Sequence, residues 1–211
     1  MQRQIEGGIE ILKNGGVIAF PTDTVYGLGA DAFNAGAVDR IYDIKGRPRD
    51  RRFPLLIADM ESLAVLAGGF SSLACFLAAR FWPGGLTMVL PAVASLPVHL
   101  GTGPGIAVRI PHHSVCLALI RGLGNPVIGT SANPSGHRPA LTTAEVRQHF
   151  AGKVECIIDG GRCPGGTEST VVDVTGRSPV ILREGIIPTH EIERAYGEYL
   201  EVDNEAHCHR C

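Results

Sequence analysis

The sequence predicts an α/β domain in which helices flank a twisted, mixed β-sheet. Short apolar runs of strand length alternate with longer amphipathic segments over 211 residues. Near the end, two apolar runs are joined at 175–178 in the manner of a β-hairpin, which adds antiparallel pairing. Since there is no internal repeat or low-complexity linker, we expect one catalytic domain at 1–200 and a polar, disordered tail at 201–211.

The first half of the chain opens with an amphipathic helix. Ile5, Ile9 and Leu12 recur at helical spacing, and Gly15-Gly16 is a typical helix end. The elements that follow are, in order, a buried strand at 17–20, an amphipathic helix ending at 45–46, a strand at 54–58 and two helical stretches before 82.

The second half begins after the break at Pro83-Gly84-Gly85. Thr142 and Glu145 have the spacing of a capping box, which predicts that a helix begins there. The elements are, in order, strands at 86–90 and 106–110, a helix at 114–121, a strand at 127–130, the helix after 142, strands at 154–158, 170–174 and 180–182, and a helix at 189–199.

The charge distribution suggests a site for a small polyanion. The formal net charge is −2, so the whole molecule does not present a track for nucleic acid. Residues 45–52 nevertheless contain one lysine and four arginines against the single acid Asp50. A solvated surface run is the alternative explanation for such a cluster.

The cysteines and the apolar runs predict a cytoplasmic protein. The six cysteines are dispersed, as in proteins of a reducing compartment. Residues 1–16 lack the apolar core of a secretory signal, and no apolar run approaches membrane-spanning length. His207-Cys208-His209-Arg210-Cys211 invites a zinc interpretation, but closely spaced ligands on one terminal segment do not form a closed four-ligand site, so we predict no metal site.

Three loops at predicted strand or helix ends carry polar or basic side chains. Two threonine hydroxyls lie in 21–28, the basic cluster follows a helix, and a serine and an asparagine lie in 129–136. Arginine forks and lysine suit phosphate oxygens, although the chain has neither of the two common glycine-rich phosphate motifs. A capping turn in the first loop and an Asn-Pro turn in the third are the structural alternatives.

Taken together, these loops and the segments between them make the sequence resemble the YrdC-like family, the threonylcarbamoyl-AMP synthases. The resemblance covers about 165 residues in the order of the family. The matching segments are PTDTVYGL (21–28), KGRP (45–48), PLLI (54–57), FWPGGLT (81–87), AVRIP (107–111), GTSANPSG (129–136), ESTVVD (168–173) and ILREG (181–185).

The resemblance implies an α/β fold with a deep basic cavity and the synthesis of threonylcarbamoyl-AMP from L-threonine, bicarbonate or CO2, and ATP, with Mg²⁺. This is the first step of N6-threonylcarbamoyladenosine formation in tRNA, and a threonylcarbamoyl-transferase complex would act downstream. The residues implied for threonine are Thr24, Arg109, Ser131 and Ser169. The residues implied for ATP are Lys45, Arg47, Arg51, Asn133, Thr142 and Arg183, with Lys45 and Arg47 in catalysis.

Arg109 is unusual on physical grounds alone. It lies on the otherwise apolar strand at 106–110, where an unpaired charge would be costly to bury. A ligand carboxylate would satisfy the guanidinium, and so would a structural salt bridge to one of the acids.

Two departures and two rival functions accompany the resemblance. Where the family often has Lys-Pro after KGRP, this chain has Arg51-Arg52. Many longer members carry a second C-terminal domain, whereas the length of this chain predicts the short, single-domain type. We expect no membrane association. One rival is a module that binds tRNA or double-stranded RNA without catalysis. The other is a carbamoyl-adenylate enzyme for a different acceptor, as in hydrogenase-maturation relatives.

Overall fold

Helices and strands alternate along the chain, and the computed structural model describes residues 1–101 and 103–208. The helices are α1 (Gln2–Lys13), α2 (Ala35–Lys45), α3 (Ser72–Phe81), α4 (Ser114–Leu123), α5 (Thr143–Phe150) and α6 (Thr189–Cys208). The strands are β1 (Ile18–Phe20), β2 (Gly27–Gly29), β3 (Leu55–Leu56), β4 (Leu86–Pro91), β5 (Gly105–Arg109), β6 (Val127–Ile128), β7 (Thr130–Ser131), β8 (Cys156–Ile157), β9 (Thr170–Asp173) and β10 (Val180–Arg183). This confirms the predicted α/β class.

Several helix ends lie at the residues whose chemistry predicts them. Helix α2 ends at Gly46, whose φ of 60° is left-handed, as expected for a glycine cap. At the start of α5, the hydroxyl of Thr142 accepts a hydrogen bond from the Glu145 amide and the Glu145 side chain accepts one from the Thr142 amide. The predicted capping box is therefore present.

The last helix is longer than predicted. Its end was expected near Tyr199, whereas α6 continues to Cys208. The extra segment has no glycine or proline to stop the helix, and Glu201, Glu205 and Ala206 favour helical backbone. Of the tail expected at 201–211, residues 209–211 lie outside the described residues.

The strands form two mixed sheets where the sequence predicted one. The larger sheet has six strands in the order β10-β9-β4-β5-β3-β6, with β4–β9 and β3–β5 parallel and the other pairs antiparallel. The smaller sheet has the order β7-β2-β1-β8, with β1 and β8 parallel. Strand β2 comes from a segment predicted to be a loop, and the single strand predicted at 127–130 is divided between β6 and β7, which lie in different sheets.

Glycine permits the close approach that creates the smaller sheet. A Cβ at Gly29 would lie 2.5 Å from a ring carbon of Phe20 and 2.7 Å from Val127. Only a residue without a side chain fits between these two groups. The segment therefore pairs with β1 despite having no strand-forming pattern.

Three apolar clusters fill the interior. The largest lies between the six-stranded sheet and helices α2, α3 and α6. A second joins α1 and α4 to β1, and a third surrounds Tyr26 and Phe150 below the smaller sheet. Across residues 1–101 and 103–208, none of the helices combines the length and the apolar character needed to cross a bilayer.

Candidate active site

Side chains from both sheets surround one cavity of about 290 Å³. Its charged lining consists of Arg47, Arg52, Arg109, Glu168 and Arg183. Its hydroxyl side chains are those of Thr22, Thr24, Thr87, Thr130, Ser131 and Ser169. Four arginines against one glutamate give the lining a positive charge, although the whole chain carries −2.

Alternate side chains along β4 and β5 face the cavity and place polar groups on its floor. Thr87, Ala107 and Arg109 line the cavity, whereas the intervening Met88 and Val108 are fully buried in the apolar core. Successive side chains of a strand point to opposite faces of the sheet. One face of the six-stranded sheet is therefore core, and the other is a partly polar floor.

The guanidinium of Arg109 is fixed by three protein oxygens. Nε donates to the Gly84 carbonyl at 2.8 Å, Nη1 to the Thr24 hydroxyl at 3.0 Å and Nη2 to Asp23 Oδ1 at 2.6 Å. The side chains of Arg109 and Asp23 are 6% and 15% exposed, so this is the salt bridge that the sequence left open as an alternative. Since a guanidinium has five N–H groups, two remain for a ligand in the cavity.

The hydroxyl of Thr24 is left as a hydrogen-bond acceptor. Thr22 Oγ1 donates to the Val25 carbonyl at 2.7 Å, so its single hydrogen is used there. The 2.9 Å bond between the two threonine hydroxyls must then be donated by Thr24, which also accepts from Arg109. A ligand at this wall therefore meets a fixed acceptor that selects an N–H or O–H group.

Arg183 connects two other residues of the cavity. Its Nη2 donates to the Ser169 carbonyl at 2.8 Å, and its Nη1 donates to Glu168 Oε2 at 3.1 Å. The Ser169 hydroxyl lies 2.8 Å from that of Thr87 on the floor. The guanidinium thus fixes the segment that carries Glu168 and Ser169 to the end of β10.

Lys45 lies behind the cavity and is not part of its lining. Its ammonium group donates to the carbonyls of Ser131 at 2.5 Å and Asn133 at 2.7 Å, and the residue is only 4% exposed. Burial, together with the charge of Arg47, lowers the pKa of Lys45 to about 8, while Glu168 opposes the shift. Lys45 thereby joins the end of α2 to the loop after β7.

Asn133 belongs to the same loop, and its side chain is buried. Its Nδ2 donates to the carbonyls of Pro134 and His137, at 3.0 and 2.7 Å. Its Oδ1 is buried and has no hydrogen-bond partner among the described residues. An unpaired buried acceptor of this kind is costly, so a donor arriving beside it would be stabilised.

Arg47 reaches the cavity from the loop that follows α2. Its Nε donates to the Arg51 carbonyl at 2.9 Å and its Nη2 to the Arg52 carbonyl at 3.1 Å, while the guanidinium carbon lies 5.0 Å from the centre of the Phe53 ring. Arg49 on the same loop pairs with acids of α2 and lies outside the lining. Arg47 therefore closes its own loop and faces the cavity.

The structure brings together most of the residues predicted for the site. Those that line the cavity are Thr24, Arg47, Arg109, Ser131, Ser169 and Arg183. Lys45 and Asn133 lie directly behind Ser131. Arg51 and Thr142 are not in the lining, and the hydroxyl of Thr142 caps α5.

Some lining residues were missed by the sequence analysis. Arg52 lines the cavity where Arg51 was expected, because the loop turns the second of the two arginines inward. Thr87 is the last residue of the matching segment 81–87, and Glu168 is the first residue of the matching segment 168–173. Apart from the family resemblance, nothing in the sequence indicates that these two residues line a site. Thr22 supports Thr24, a role visible only from hydrogen-bond geometry.

A second cavity of about 530 Å³ lies between α3 and α4 and is almost entirely apolar. Its walls include Met60, Phe70 and Trp82, with Asp59 and Arg121 as its charged residues. It contains none of the residues predicted for the site. The first cavity is therefore the candidate active site.

A family model agrees with these observations. The Sua5/YciO/YrdC model, described as "telomere recombination", matches residues 10–185. Two curated relatives carry the name threonylcarbamoyl-AMP synthase. The protein from Pyrococcus abyssi is 48% identical, over 89% of this chain and 55% of its own, and that from Bacillus subtilis is 43% identical, over 92% and 57%.

A solved structure is also similar over most of the fold. The crystal structure of P. abyssi Sua5 complexed with L-threonine superposes with a TM-score of 0.90 at 44% identity, covering 94% of this chain and 58% of that one. The chain spans little more than half the length of these relatives.

Proposed function

Because the chain belongs to the Sua5/YciO/YrdC family, we propose that it condenses L-threonine, bicarbonate and ATP into threonylcarbamoyl-AMP, releasing pyrophosphate and water. If CO2 is used in place of bicarbonate, pyrophosphate is released without water. One observation carries the proposal. A single cavity holds a fixed arginine surrounded by hydroxyl groups together with further arginines suited to phosphate. The names of the two synthases and the threonine complex of the P. abyssi protein support the same substrate.

The amino acid would occupy the part of the cavity at the end of β5. Arg109 keeps two N–H groups for a carboxylate, and Thr24 offers an acceptor for an N–H or O–H donor. Ser131 and Ser169 supply further hydroxyl groups in the lining. These four residues therefore offer hydrogen-bond donors and acceptors suited to the carboxylate, amino and hydroxyl groups of threonine.

The triphosphate would occupy the part nearest α2 and β10. Arg47 and Arg183 line it, and Lys45 holds the adjoining loop. Arg51, Asn133 and Thr142 remain predicted ATP residues from the resemblance. Mg²⁺ would arrive with the nucleotide, held mainly by phosphate oxygens and water, since Mg²⁺ needs few protein ligands when phosphates are present.

The reaction mainly requires alignment and neutralisation of charge. Bicarbonate loses water to give CO2, and the threonine ammonium group loses a proton to give the neutral amine. The amine adds to CO2 and releases a second proton, which leaves a carbamate anion. A carbamate oxygen then attacks the α-phosphorus, and the bond from that phosphorus to pyrophosphate breaks. The nucleophile is already an anion, so binding it in line with the phosphorus supplies much of the acceleration. Arginines directed at the phosphates stabilise the charge that develops in the transition state.

The wider setting is also a proposal. The product would serve threonylcarbamoyladenosine formation in tRNA through a downstream transferase complex, with the protein acting in the cytoplasm. Cys75, Cys116, Cys156 and Cys163 are free thiols, which supports a reducing compartment.

The test is to incubate the protein with threonine, bicarbonate, ATP and Mg²⁺ and to measure pyrophosphate and the mass of the adenylate. We expect pyrophosphate release that depends on threonine. We expect Arg109→Lys to lower kcat/KM for threonine by about tenfold or more, because lysine keeps the charge opposite Asp23 but loses the fork.

Two results would contradict the proposal. One is the absence of threonine-dependent pyrophosphate release by the folded wild type. The other is retention of double-stranded RNA or tRNA without any turnover, which would favour the binding module considered from the sequence. A normal melting curve for Arg109→Lys is the control that separates lost binding from lost folding.

A further inference from the structure

Glu168 is the only carboxylate among the described residues that line the cavity. The other charged lining residues are all arginines. A carboxylate repels the phosphates that the arginines attract, so its position in this cavity requires an explanation. Its side chain is 35% exposed, which leaves it within reach of a ligand.

Glu168 lies between the two parts of the cavity. The guanidinium of Arg183 donates to Glu168 and also to the hydroxyl of Ser169, at 3.1 and 3.3 Å, so these acceptors are close neighbours. The charge of Glu168 also acts on Lys45 and Arg47, and Arg47 lines the same cavity. The carboxylate is therefore placed where the amino acid would meet the nucleotide.

A free amino acid at neutral pH carries an ammonium group as well as a carboxylate. Arg109 can hold the carboxylate, while Thr24 offers the ammonium only a neutral acceptor. A carboxylate adds the attraction of an opposite charge to the hydrogen bond that an ammonium group donates, which a hydroxyl does not. Glu168 is the one lining residue that can supply it.

We propose that Glu168 binds the α-ammonium group of the amino-acid substrate and so fixes the nitrogen at the junction of the two parts of the cavity. The inference rests on the proposed function, since it assumes an amino acid as the substrate. Arg183 holds Glu168 in place in the absence of the ligand. The presence of a carboxylate among arginines is then explained by binding of the amino acid and not of the phosphates.

The experiment measures binding of two compounds to Glu168→Gln by calorimetry. One is L-threonine, and the other is 2,3-dihydroxybutanoate of matching configuration, in which a hydroxyl replaces the ammonium group. We expect Glu168→Gln to weaken threonine binding by about 10- to 100-fold and to leave binding of the dihydroxy acid within about twofold. The preference of the site for an ammonium group would then be lost.

Glu198→Gln is the matched control. Glu198 pairs with Arg80 at the same 3.1 Å and with similar side-chain exposure, but it lies on α6 outside the cavity. We expect this variant to bind threonine as the wild type does. Equal weakening of threonine and the dihydroxy acid in Glu168→Gln, or altered ATP affinity with threonine affinity unchanged, would overturn the inference.

The outcome can be separated from that of the proposed function. Pyrophosphate release by the wild type tests the function alone. Release that depends on threonine, together with unchanged threonine affinity in Glu168→Gln, overturns only the assignment of Glu168. No threonine-dependent release overturns the function and this inference with it.

Discussion

The buried ammonium group of Lys45 makes the free energy of unfolding depend on pH. Its pKa falls from 10.5 to about 8 in the folded protein. Between these values the unfolded chain binds more protons than the folded chain, so the free energy of unfolding rises with pH. Below the folded pKa both states are protonated, and the cost of burying the charge is fully present.

Lys45→Met removes this titration. We expect the free energy of unfolding of the wild type, relative to that of Lys45→Met, to rise by up to about 3 kcal/mol between pH 8 and pH 10.5. Denaturant unfolding at each pH measures it. The exposed Lys153 provides the control, since Lys153→Met should show no such rise. A flat difference for Lys45→Met would contradict the prediction.

Arg109 illustrates what a sequence can reveal about a single residue. A charge on an apolar strand must be paired, so its importance could be predicted. Its partner could not be, because Asp23 lies 86 positions away and contact depends on the packing of β5 against the loop after β1. The structure shows that the salt bridge and the cavity position, which the sequence presented as alternatives, coexist.

At the scale of elements, the cap of α5 gives a direct test of stability. The Thr142 hydroxyl accepts a hydrogen bond from the Glu145 amide at 3.3 Å, and the Glu145 carboxylate accepts one from the Thr142 amide at 3.1 Å. We expect Thr142→Ala to lower the free energy of unfolding by about 1 kcal/mol, since an N–H group at the helix start loses its partner. Chemical denaturation measures the loss.

Thr142→Ser keeps the hydroxyl and serves as the matched variant. We expect it to restore the stability lost in Thr142→Ala, because serine caps at least as well as threonine. Equal stability of Thr142→Ala and the wild type would show that the capping box contributes nothing measurable.

Elements with strong local signals were predictable, and those that depend on distant contacts were not. The α5 cap and the strands of the β9–β10 hairpin could be predicted from spacing and composition. Strand β2 could not, because Gly27–Gly29 has no strand pattern and pairs only where β1 and β6 leave room. Nor could the separation of β7 from β6, because the segment at 127–130 predicts one continuous strand. Strands β2 and β7 carry Gly27, Thr130 and Ser131 to the cavity wall, so the division into two sheets builds part of the site.

At the scale of the whole molecule, charge separation creates the candidate site. The chain has a net charge of −2, yet the cavity lining has four arginines and one glutamate. These residues come from loops and strands spread from Arg47 to Arg183. The basic cluster at 45–52 predicted part of this charge, whereas the inward turn of Arg52 depends on a loop conformation that the sequence does not specify.

This charge separation predicts that salt weakens ATP binding more than threonine binding. The triphosphate meets several cations that are partly open to solvent, and such interactions are screened as ionic strength rises. Threonine is a zwitterion, and the arginine proposed to hold its carboxylate is already paired with Asp23. Between 50 and 500 mM salt we expect calorimetry to show about a tenfold loss of ATP affinity and a change of less than about twofold for threonine.

Two arginines of one loop allow the source of this salt dependence to be located. Arg47 lines the cavity, whereas Arg49 pairs with Asp39 and Asp43 outside it. We expect Arg47→Ala to weaken ATP binding and to make it less sensitive to salt, because one partly exposed cation facing the phosphates is lost. Arg49→Ala should retain the affinity and salt dependence of the wild type. Equal salt dependence of ATP binding in the two variants would mean that the net charge of the surface, rather than that of the cavity, attracts the nucleotide.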